Sequence, residues 1–473
     1  MTQAPTVHQA SAVDLDALRS SIDGTLIAPG DDGYDGARQT LAVSDLHPAV
    51  IIEASSVADV RRAVDLARET GLELAVRSGG HSAAAHGSTE GGIQLDLRGL
   101  HAIDVDVDGR TAWAETGATA GEVTNAVGEH GLVIGFGDTA SVGIGGLTTG
   151  GGIGFLVRKF GLTIDNVIAA DVVTANGELV RADATTNPDL FWAIRGGGGN
   201  FGIVTRFQYR LHELPQIVGG LLFLPATADT IAGFMKAAEK APEELSTILN
   251  VMTAPPMPFL PEEHHGKLVI MGMLTYAGDV EAGQKAVAPF RALATPLADL
   301  VRPMPYSGMY PPEEPGAGEY RPIATSRILF LDHVDQDVAG TILERLEEHR
   351  TSPGAQMVAA QLRVLGGAAA RVPVDATAFA HRASRIMIAV AAITGSAAEL
   401  PAHEAWVKEV AADLVQSDPG AYVNFVADEG PERVRDAYPG ATWDRLVAIK
   451  DRYDPTNLFR RNQNIPPSGR ATV

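Results

Sequence analysis

The run of residues with the clearest chemical potential is Arg77, Ser78, Gly79, Gly80, His81 and Ser82. The paired glycines lack Cβ atoms, so successive backbone N–H groups there can turn toward one anion, as in phosphate-binding loops. His81 follows the glycines directly, and a neutral imidazole is a nucleophile near neutral pH. A buried histidine satisfied by hydrogen bonds is the simpler interpretation of one such residue. The flanking sequence decides whether His81 is a reactive residue or a structural one.

A β-α-β unit is expected to deliver the chain into this loop. Residues 49–53 form a short apolar strand, and Val57, Val60 and Val64 recur at the spacing of one helix face. A second apolar strand then ends at Arg77. The loop therefore begins at the end of a strand in a sheet covered by a helix.

Two further glycine clusters occupy residues 135–154 and 195–204. Counting the loop at 77–82 as the first cluster, the second glycine cluster is residues 135–154 and the third is residues 195–204. The second cluster interleaves glycine with apolar residues, which is unlike a flexible linker, and it predicts backbone lying close against a large planar ligand. The third cluster contains the pattern G-x-G-x-x-G, but it follows a predicted helix and opens a strand. A dinucleotide-binding loop has the opposite order, so the sequence argues against a nicotinamide cofactor there.

The charge and composition of the chain oppose several classes of protein. Its 473 residues include 37 Lys and Arg against 58 Asp and Glu, and the net charge of −21 opposes binding to nucleic acid or to an anionic membrane. The chain has no Cys, and His264 and His265 lack the spacing of a metal-binding helix, so no metal is expected. No secretory leader and no apolar run as long as a membrane span are evident, so a cytoplasmic protein is expected.

The composition changes after residue 215. Long glycine clusters stop, and apolar strands alternate with charged helices, which predicts a sheet with helices on one face. The last predicted strand covers residues 421–426. Because alternate residues of a strand share a face, Tyr422 and Asn424 are expected to project together, whereas Phe425 faces the other way.

Five stretches of the chain together resemble one family. They are RSGGHS at 77–82, GGIQLDL at 91–97, DNVIAADVV at 165–173, NPDLFWAIRGGGGNFGIVT at 187–205 and TWDRLVAIKDRYDPTNLFRRNQNIPP at 442–467. In combination they resemble the berberine bridge enzyme-like branch of the flavin-dependent oxidases with the p-cresol methylhydroxylase fold. The resemblance extends over residues 49–467, nearly the whole chain.

The resemblance implies an α+β fold in two main parts. One is a two-part FAD-binding domain of the p-cresol methylhydroxylase type, expected over residues 1–215. The other is a substrate-binding domain with an antiparallel sheet covered by helices, expected over residues 216–426. A C-terminal segment, residues 427–473, is expected to return to the FAD-binding domain.

The resemblance also implies FAD as the cofactor, with His81 bonded to the flavin 8α-methyl group. Many relatives add a second bond from a cysteine, but Thr139 stands at that position and the chain has no Cys, so a single link is expected. His86 is the rival anchor, and Val142 matches a position that controls access of O₂ and favours an oxidase. The residues expected to bind FAD are Arg77, Ser78, Gly79, Gly80, His81, Ser82, Asp138, Val142, Gly143, Gly145, Gly146, Thr149, Gly150, Gly152, Gly154, Val204, Asn462 and Asn464.

The catalytic residues implied by the resemblance are Gln361, Arg363, Tyr422, Asn424 and Phe425. Relatives commonly carry Y-x-N-Y, with the second Tyr as the base, but Phe425 cannot accept a proton. Gln361 and Arg363 share one face of a predicted strand. Arg363 stays protonated, so it is expected to bind an anionic or carbonyl-bearing substrate or a reduced flavin. The missing base favours amine-type or pre-ionised phenolic substrates.

The sequence thus predicts an FAD-linked oxidase that takes a hydride from a C–H bond of a small amine, alcohol or phenol and passes the electrons to O₂, giving hydrogen peroxide. A small-molecule substrate and O₂ are the expected partners, with no nucleic acid or membrane, and the protein is expected to be a monomer or homodimer. The alternatives are an oxygen-inserting flavoenzyme, a flavin-binding protein without catalysis, and a carbohydrate-binding or scaffolding protein.

Overall fold

The computed structural model describes residues 13–310 and 321–469. Its helices are α1 (Leu15–Arg19), α2 (Tyr34–Ala37), α3 (Val57–Thr70), α4 (Ala120–Gly128), α5 (Ile144–Gly150), α6 (Val157–Phe160), α7 (Pro188–Ala193), α8 (Ala228–Lys240), α9 (Val280–Arg291), α10 (Gln336–His349), α11 (Gly367–Arg371), α12 (Leu400–Leu414), α13 (Pro431–Ala437) and α14 (Ala441–Tyr453). Short 3₁₀ helices occur at Thr163–Asn166, Gly198–Asn200, Glu262–His264, Tyr306–Met309 and Val423–Phe425.

The strands form sheets of four, five, two and eight strands. In chain order they are β1 (Thr25–Ile27), β2 (Val50–Glu53), β3 (Leu74–Arg77), β4 (Ile93–Asp96), β5 (Ile103–Asp106), β6 (Thr111–Glu115), β7 (Leu132–Val133), β8 (Val167–Val173), β9 (Leu179–Asp183), β10 (Ile203–Arg210), β11 (His212–Glu213), β12 (Ile217–Pro225), β13 (Leu245–Thr253), β14 (Leu268–Tyr276), β15 (Ala298–Asp299), β16 (Arg302–Met304), β17 (Ile323–Leu331), β18 (Ala355–Val364) and β19 (Ile386–Thr394).

The first sheet has the order β1-β2-β4-β3, and both β2 and β3 run parallel to β4. The helix α3 connects β2 to β3, as the β-α-β pattern predicts. Ser56 begins this helix with a capping box, in which its hydroxyl accepts from the Asp59 N–H. Val60, Ala63 and Val64 pack onto the strands, and the loop with His81 begins where β3 ends.

The second sheet is antiparallel, with the order β5-β6-β10-β8-β9. Its core includes apolar side chains of α4, α5 and α7, the helices that lie beside the second and third glycine clusters. The first and second sheets pack against each other: Val173 and Ile203, which belong to β8 and β10 of the second sheet, lie in the core of the first sheet. The glycine clusters therefore lie on a scaffold of two adjoining sheets.

β7 and β11 form the two-stranded sheet, and the eight-stranded sheet is called the third sheet from here on. The third sheet follows the order β15-β12-β14-β13-β18-β19-β17, and β16 also pairs with β12. Its neighbours pair antiparallel, and α8, α9, α10 and α12 bury their apolar stripes against one face. Thr227, Asp279 and Asp335 cap three of these helices at their N-termini. The opposite face remains for the cavity described below, and the arrangement agrees with the expected α+β class.

The predicted strand over residues 421–426 is wrong. Val423–Phe425 is a 3₁₀ helix, and Tyr422 precedes it in an extended conformation. Tyrosine, valine and phenylalanine favour strands, but contacts with α5 and the glycine segment determine the local structure here. The period-2 argument for the orientations of Tyr422, Asn424 and Phe425 therefore fails.

The expected domain boundaries at residues 215 and 426 stay predictions. The third sheet begins at Ile217 and its last strand ends at Thr394. Residues 1–12 and 470–473, which belong to the predicted first and last parts, lie outside the described residues. Within residues 13–310 and 321–469, no helix has the length and apolarity needed to span a membrane.

Candidate active site

A cavity of about 570 Å³ lies between the glycine segments and the third sheet. It brings together the residues predicted from separate motifs, which are Arg77, Ser78, Gly79, Gly80, His81, Ser82, Asp138, Val142, Gly143, Gly145, Gly146, Thr149, Gly152, Val204, Gln361, Arg363, Tyr422, Asn424, Phe425 and Asn462. Gly150, Gly154 and Asn464 were predicted to bind the cofactor but are not among the lining residues. The rival anchor His86 and Thr139 also line the cavity.

The first wall of the cavity is the loop after β3. Arg77 is buried and pairs with Asp96, and its Nη1 donates to the carbonyl of Gln39 at 2.7 Å. Gly80 has a φ of +76°, which favours glycine, and its carbonyl accepts from Leu41 N at 3.0 Å. The guanidinium of Arg77, which was predicted to bind the cofactor, is thus paired with Asp96, a carboxylate that it shares with Arg98, and it holds the loop in place.

The loop after β3 is in direct backbone contact with the second glycine segment. A Cβ at Gly79 would lie 2.3 Å from Gly143 N, and a Cβ at Gly143 would lie 2.2 Å from Gly79 N. Ser78 Oγ accepts from Gly145 N at 3.2 Å and donates to the Thr116 carbonyl. The two segments therefore form one rigid wall that no side chain separates.

Two of the glycines that do not line the cavity have packing roles. A Cβ at Gly150 would lie 1.9 Å from Asn424 Oδ1, and a Cβ at Gly154 would lie 2.0 Å from the Phe136 carbonyl. Both positions need glycine because another part of the protein approaches closely. The sequence pattern predicted close approach of a planar ligand here, whereas protein atoms make the close approach at both positions.

The tail after α14 closes another side of the cavity. Lys450 is fully buried, and its Nζ donates to the carbonyls of Asn200 and Phe459 and to the Asp454 carboxylate, at 2.7 to 2.9 Å. Asn462 Nδ2 donates to the Gly199 carbonyl at 3.1 Å. The Oδ1 atoms of Asn462 and Asn464 are buried and have no hydrogen-bond partner among the described residues.

Tyr422 and Asn424 form a hydrogen-bonded pair at the base of the cavity. The Tyr422 hydroxyl oxygen accepts from Gly152 N at 2.8 Å and from Asn424 Nδ2 at 2.9 Å, and Asn424 Nδ2 also donates to the Leu147 carbonyl at 2.9 Å. Burial raises the pKa of Tyr422 above its ordinary value of 10. Phe425 lines the cavity beside them, contrary to the predicted opposite orientation.

Arg363 is arranged differently from the expected ligand for an anion. Its Nη2 donates to Asp138 Oδ2 at 2.6 Å, and its Nη1 donates to the Ile153 carbonyl at 2.7 Å. Gln361 Oε1 accepts from the same guanidinium, as their predicted common face allows. The Arg363 charge is therefore paired with a carboxylate of the glycine segment.

His81 and His86 both line the cavity, five positions apart in the same loop. Burial, with a smaller effect of the Arg461 charge, lowers the pKa of His86 to about 4. His86 is therefore a neutral imidazole at physiological pH. Both histidines therefore border the space in which a cofactor would bind.

Sequence reasoning missed several lining residues. They are Gly198, Gly199, Asn200, Ser326, Arg461 and Gln463. Asn250 of β13, which does not line the cavity but accepts a hydrogen bond from Gln361, was also missed. The third glycine cluster was a usable signal for the first three. Asn250 had a weaker signal, a lone amide inside the apolar strand β13. Among the described residues, no group of three or more acidic, histidine or cysteine side chains forms a metal site.

The cavity fits FAD on two structural observations. A Cβ at Gly146, which lines the cavity, would meet no atom within 4 Å, so this backbone faces open space that a planar group can approach. Asn462 lines the cavity, and its buried Oδ1 atom has no partner among the described residues and needs a hydrogen-bond donor; the N–H and hydroxyl groups of FAD are donors. The glycine-rich walls, the buried amides and the imidazoles are the kinds of group that FAD requires.

Two family models match the chain. The model for an FAD binding domain matches residues 48–183, and the model described as "Berberine and berberine like" matches residues 421–466. The first match contains the loop with His81 and the second glycine cluster. The second contains Tyr422, Asn424 and the asparagines of the tail.

Full-length comparisons agree with these matches. The chain is 29% identical over 468 residues to (R)-6-hydroxynicotine oxidase of Paenarthrobacter nicotinovorans, covering 95% of this chain and 98% of that protein. It is 30% identical over 460 residues to an FAD-linked oxidoreductase of Dictyostelium discoideum, covering 94% and 95%. The crystal structure of 6-hydroxy-D-nicotine oxidase from Arthrobacter nicotinovorans superposes with a TM-score of 0.83 at 26% identity, covering 95% of this chain and 99% of that one.

Proposed function

The chain belongs to the berberine bridge enzyme-like family of FAD-linked oxidoreductases, and we propose that it is an oxidase of a small organic molecule with FAD linked covalently to His81. The single observation that carries this proposal is the cavity, which joins the His81 loop, the glycine segments, the Tyr422–Asn424 pair and Asn462 of the tail. When bound there, FAD supplies the redox chemistry, accepting a hydride from a substrate C–H bond and returning the electrons to O₂ to give hydrogen peroxide.

The protein residues hold and orient the reacting groups. The contact between Gly79 and Gly143 fixes the two backbone segments that would hold a planar cofactor. His81 is the residue that we propose as the covalent anchor. A second link, through a cysteine thioether, is impossible because the chain has no Cys and Thr139 stands at the corresponding place in the cavity. The neutral imidazole of His86 is available for hydrogen bonding in the same loop.

Tyr422 holds a proton at its hydroxyl group. Its pKa is raised by burial, and its oxygen already accepts from Gly152 N and Asn424 Nδ2. Tyr422 therefore acts as a hydrogen-bond donor toward the cavity at neutral pH rather than as a base. This supports substrates such as amines or ionised phenols, whose own electron pair assists the loss of hydride.

The covalent anchor is tested by comparing two histidine variants. The purified protein, His81→Ala and His86→Ala are denatured in SDS and separated on a gel, and flavin fluorescence is recorded with the polypeptide band. We expect fluorescence in the parent and in His86→Ala, and none in His81→Ala. Fluorescence that persists in His81→Ala, or a parent that releases its flavin, would reject the anchor.

Oxidase activity is tested separately by supplying small amines, alcohols and phenols and measuring hydrogen peroxide per substrate consumed. We expect one peroxide for each substrate oxidised, because the family cofactor returns two electrons to O₂. Incorporation of oxygen into the product without peroxide would indicate an oxygenase instead. The cytoplasmic location and the monomer-or-homodimer state expected from the sequence stay predictions.

A further inference from the structure

We propose that the substrate of this oxidase is uncharged where it meets the third sheet and offers a hydrogen-bond acceptor there, and that the site discriminates against carboxylates. This inference rests on the proposed function and specifies its substrate class. It follows from four side chains linked in series, Asp138, Arg363, Gln361 and Asn250, which are referred to as the relay.

The first link of the relay removes the positive charge that an acidic substrate would need. Arg363 and Asp138 have side chains only 3% and 19% exposed, and their Nη2–Oδ2 distance is 2.6 Å. Arg363 also donates to the carbonyl of Ile153 and twice to Gln361 Oε1. A substrate carboxylate would have to displace Asp138 or lie beside it, and like charges close together in a buried site are repelled strongly.

The second link fixes the orientation of an amide. Arginine has no acceptor atom, so the Gln361 atom that faces Arg363 at 2.6 Å is the oxygen. Gln361 Nε2 donates to Asn250 Oδ1 at 2.9 Å, and Asn250 Nδ2 then donates to the Met271 carbonyl at 3.4 Å. The amide nitrogen of Gln361 carries two hydrogens and uses one in this bond, so it retains one donor for a ligand.

The other side chains that line the cavity from the third sheet and from residues 422–426 carry no charge. Ser326, Asn424 and Phe425 are neutral, and the raised pKa of Tyr422 keeps its hydroxyl protonated. Phe425 places its ring 5.1 Å from the guanidinium carbon of Arg363, which covers that group further. Within the described residues of the third sheet and of 422–426, Arg363 is the sole charged group lining the cavity, and Asp138 neutralises it.

The test uses benzamide and benzoate, two unreactive ligands of nearly equal shape that differ in charge. Each is titrated into the purified flavin-loaded protein, and the dissociation constant is taken from the change in flavin absorbance. We expect benzamide to bind at least about tenfold more tightly than benzoate, since a charge-assisted hydrogen bond to Arg363 is not available to the carboxylate. In Asp138→Asn the unpaired Arg363 should reverse or abolish this preference.

Two further variants separate charge from structural damage. Asp138→Asn/Arg363→Gln removes both charges and should restore the preference for benzamide. Asp165→Asn breaks a comparably buried pair, Asp165 with Arg382 at 2.7 Å, that does not line the cavity, so it should leave the preference unchanged.

The proposal is overturned if the parent binds benzoate as well as benzamide, if benzamide produces no spectral change, or if the preference is the same in Asp138→Asn as in the parent. These outcomes do not depend on turnover. Failure of the proposed function would appear instead as a colourless protein or as the absence of peroxide, so the two failures are distinguishable.

Discussion

At the residue scale, Tyr422 connects residues 422–425 to the second glycine cluster. Its side chain is 2% exposed, and its oxygen is the acceptor for the Gly152 N–H, which has a φ of +80°. Asn424 donates to the same oxygen. Loss of this oxygen would leave buried donors without a partner, which costs more than the loss of an average hydrogen bond.

We therefore expect Tyr422→Phe to lower the free energy of unfolding by about 2 kcal/mol or more. Tyr438→Phe is the matched control, because Tyr438 is equally buried but its hydroxyl only donates to the Gly196 carbonyl at 3.1 Å. Its loss should cost about 1 kcal/mol. Urea denaturation of the flavin-loaded proteins gives both values, and equal costs would contradict the acceptor role of Tyr422.

Residue types and motifs were enough to predict that His81, most of the glycines and the polar pair of β18 lie at one site, and the structure places them around one cavity; their roles there stay predictions. The sequence did not allow us to predict which side chains form ion pairs and hydrogen bonds with those residues. Asp138 was expected to bind the cofactor and Arg363 to bind an anion, but the two side chains neutralise each other across 225 positions of the chain. A contact over that separation leaves no local pattern in the sequence, so the electrostatic character of the site required the structure.

At the element scale, the short helix α6 joins the glycine-rich part to the third sheet. Arg158 is buried and has no carboxylate partner among the described residues, and its guanidinium donates to the carbonyls of Ala238, Ala241 and Leu245 at 2.9 to 3.0 Å. These carbonyls lie at the C-terminal end of α8 and the start of β13. A cation at a helix C-terminus interacts favourably with the helix dipole and with its unpaired carbonyls.

Arg158→Met should therefore cost about 3 kcal/mol of unfolding free energy, since three bonds from a charged donor are lost. The adjacent Lys159 supplies a control. It pairs with Glu244 at 2.7 Å in a half-exposed setting, and Lys159→Met should cost about 1 kcal/mol or less. Thermal or urea denaturation measures both. Faster amide hydrogen exchange in the last turn of α8 should accompany only the Arg158 variant.

Elements with a strong period were predictable, and those governed by tertiary contacts were not. The alternation of apolar strands with charged helices that was predicted after residue 215 is found in β12 and α8, and again in β17 and α10. Residues 421–426 have strand-forming types but fold as a turn of 3₁₀ helix, because Asn424 packs against Gly150 and donates to the Leu147 carbonyl.

At the scale of the whole molecule, three partly buried histidines make folding sensitive to acid. Burial lowers the pKa values of His86, His212 and His349 to about 4 each, from an ordinary value of 6.5. His349 stacks on Trp406 with ring centroids 4.1 Å apart and shares a 2.7 Å hydrogen bond with His403. These groups lie in the cavity, beside the second sheet and under the helices of the third sheet.

Between about pH 6.5 and pH 4 the unfolded chain binds protons at these histidines and the folded protein does not. The free energy of unfolding therefore falls as the pH is lowered through this window. His349→Phe keeps an aromatic ring on Trp406 and should make the decline shallower. His101→Gln, at an exposed position, should leave it unchanged. Melting temperatures measured from pH 7 to pH 4 check both, and a parallel decline in His349→Phe would contradict the prediction.

The closing of the cavity by the tail bears on when the cofactor is acquired. The walls include Leu74 near one end of the chain and Gln463 near the other. Chains fold from the N-terminus as the ribosome makes them, so the first sheet and its glycine loop exist well before the residues that complete the cavity. We therefore expect FAD capture to be a step of maturation that follows translation. A cell short of flavin would accumulate finished apoprotein, which late addition of FAD could still convert to holoenzyme.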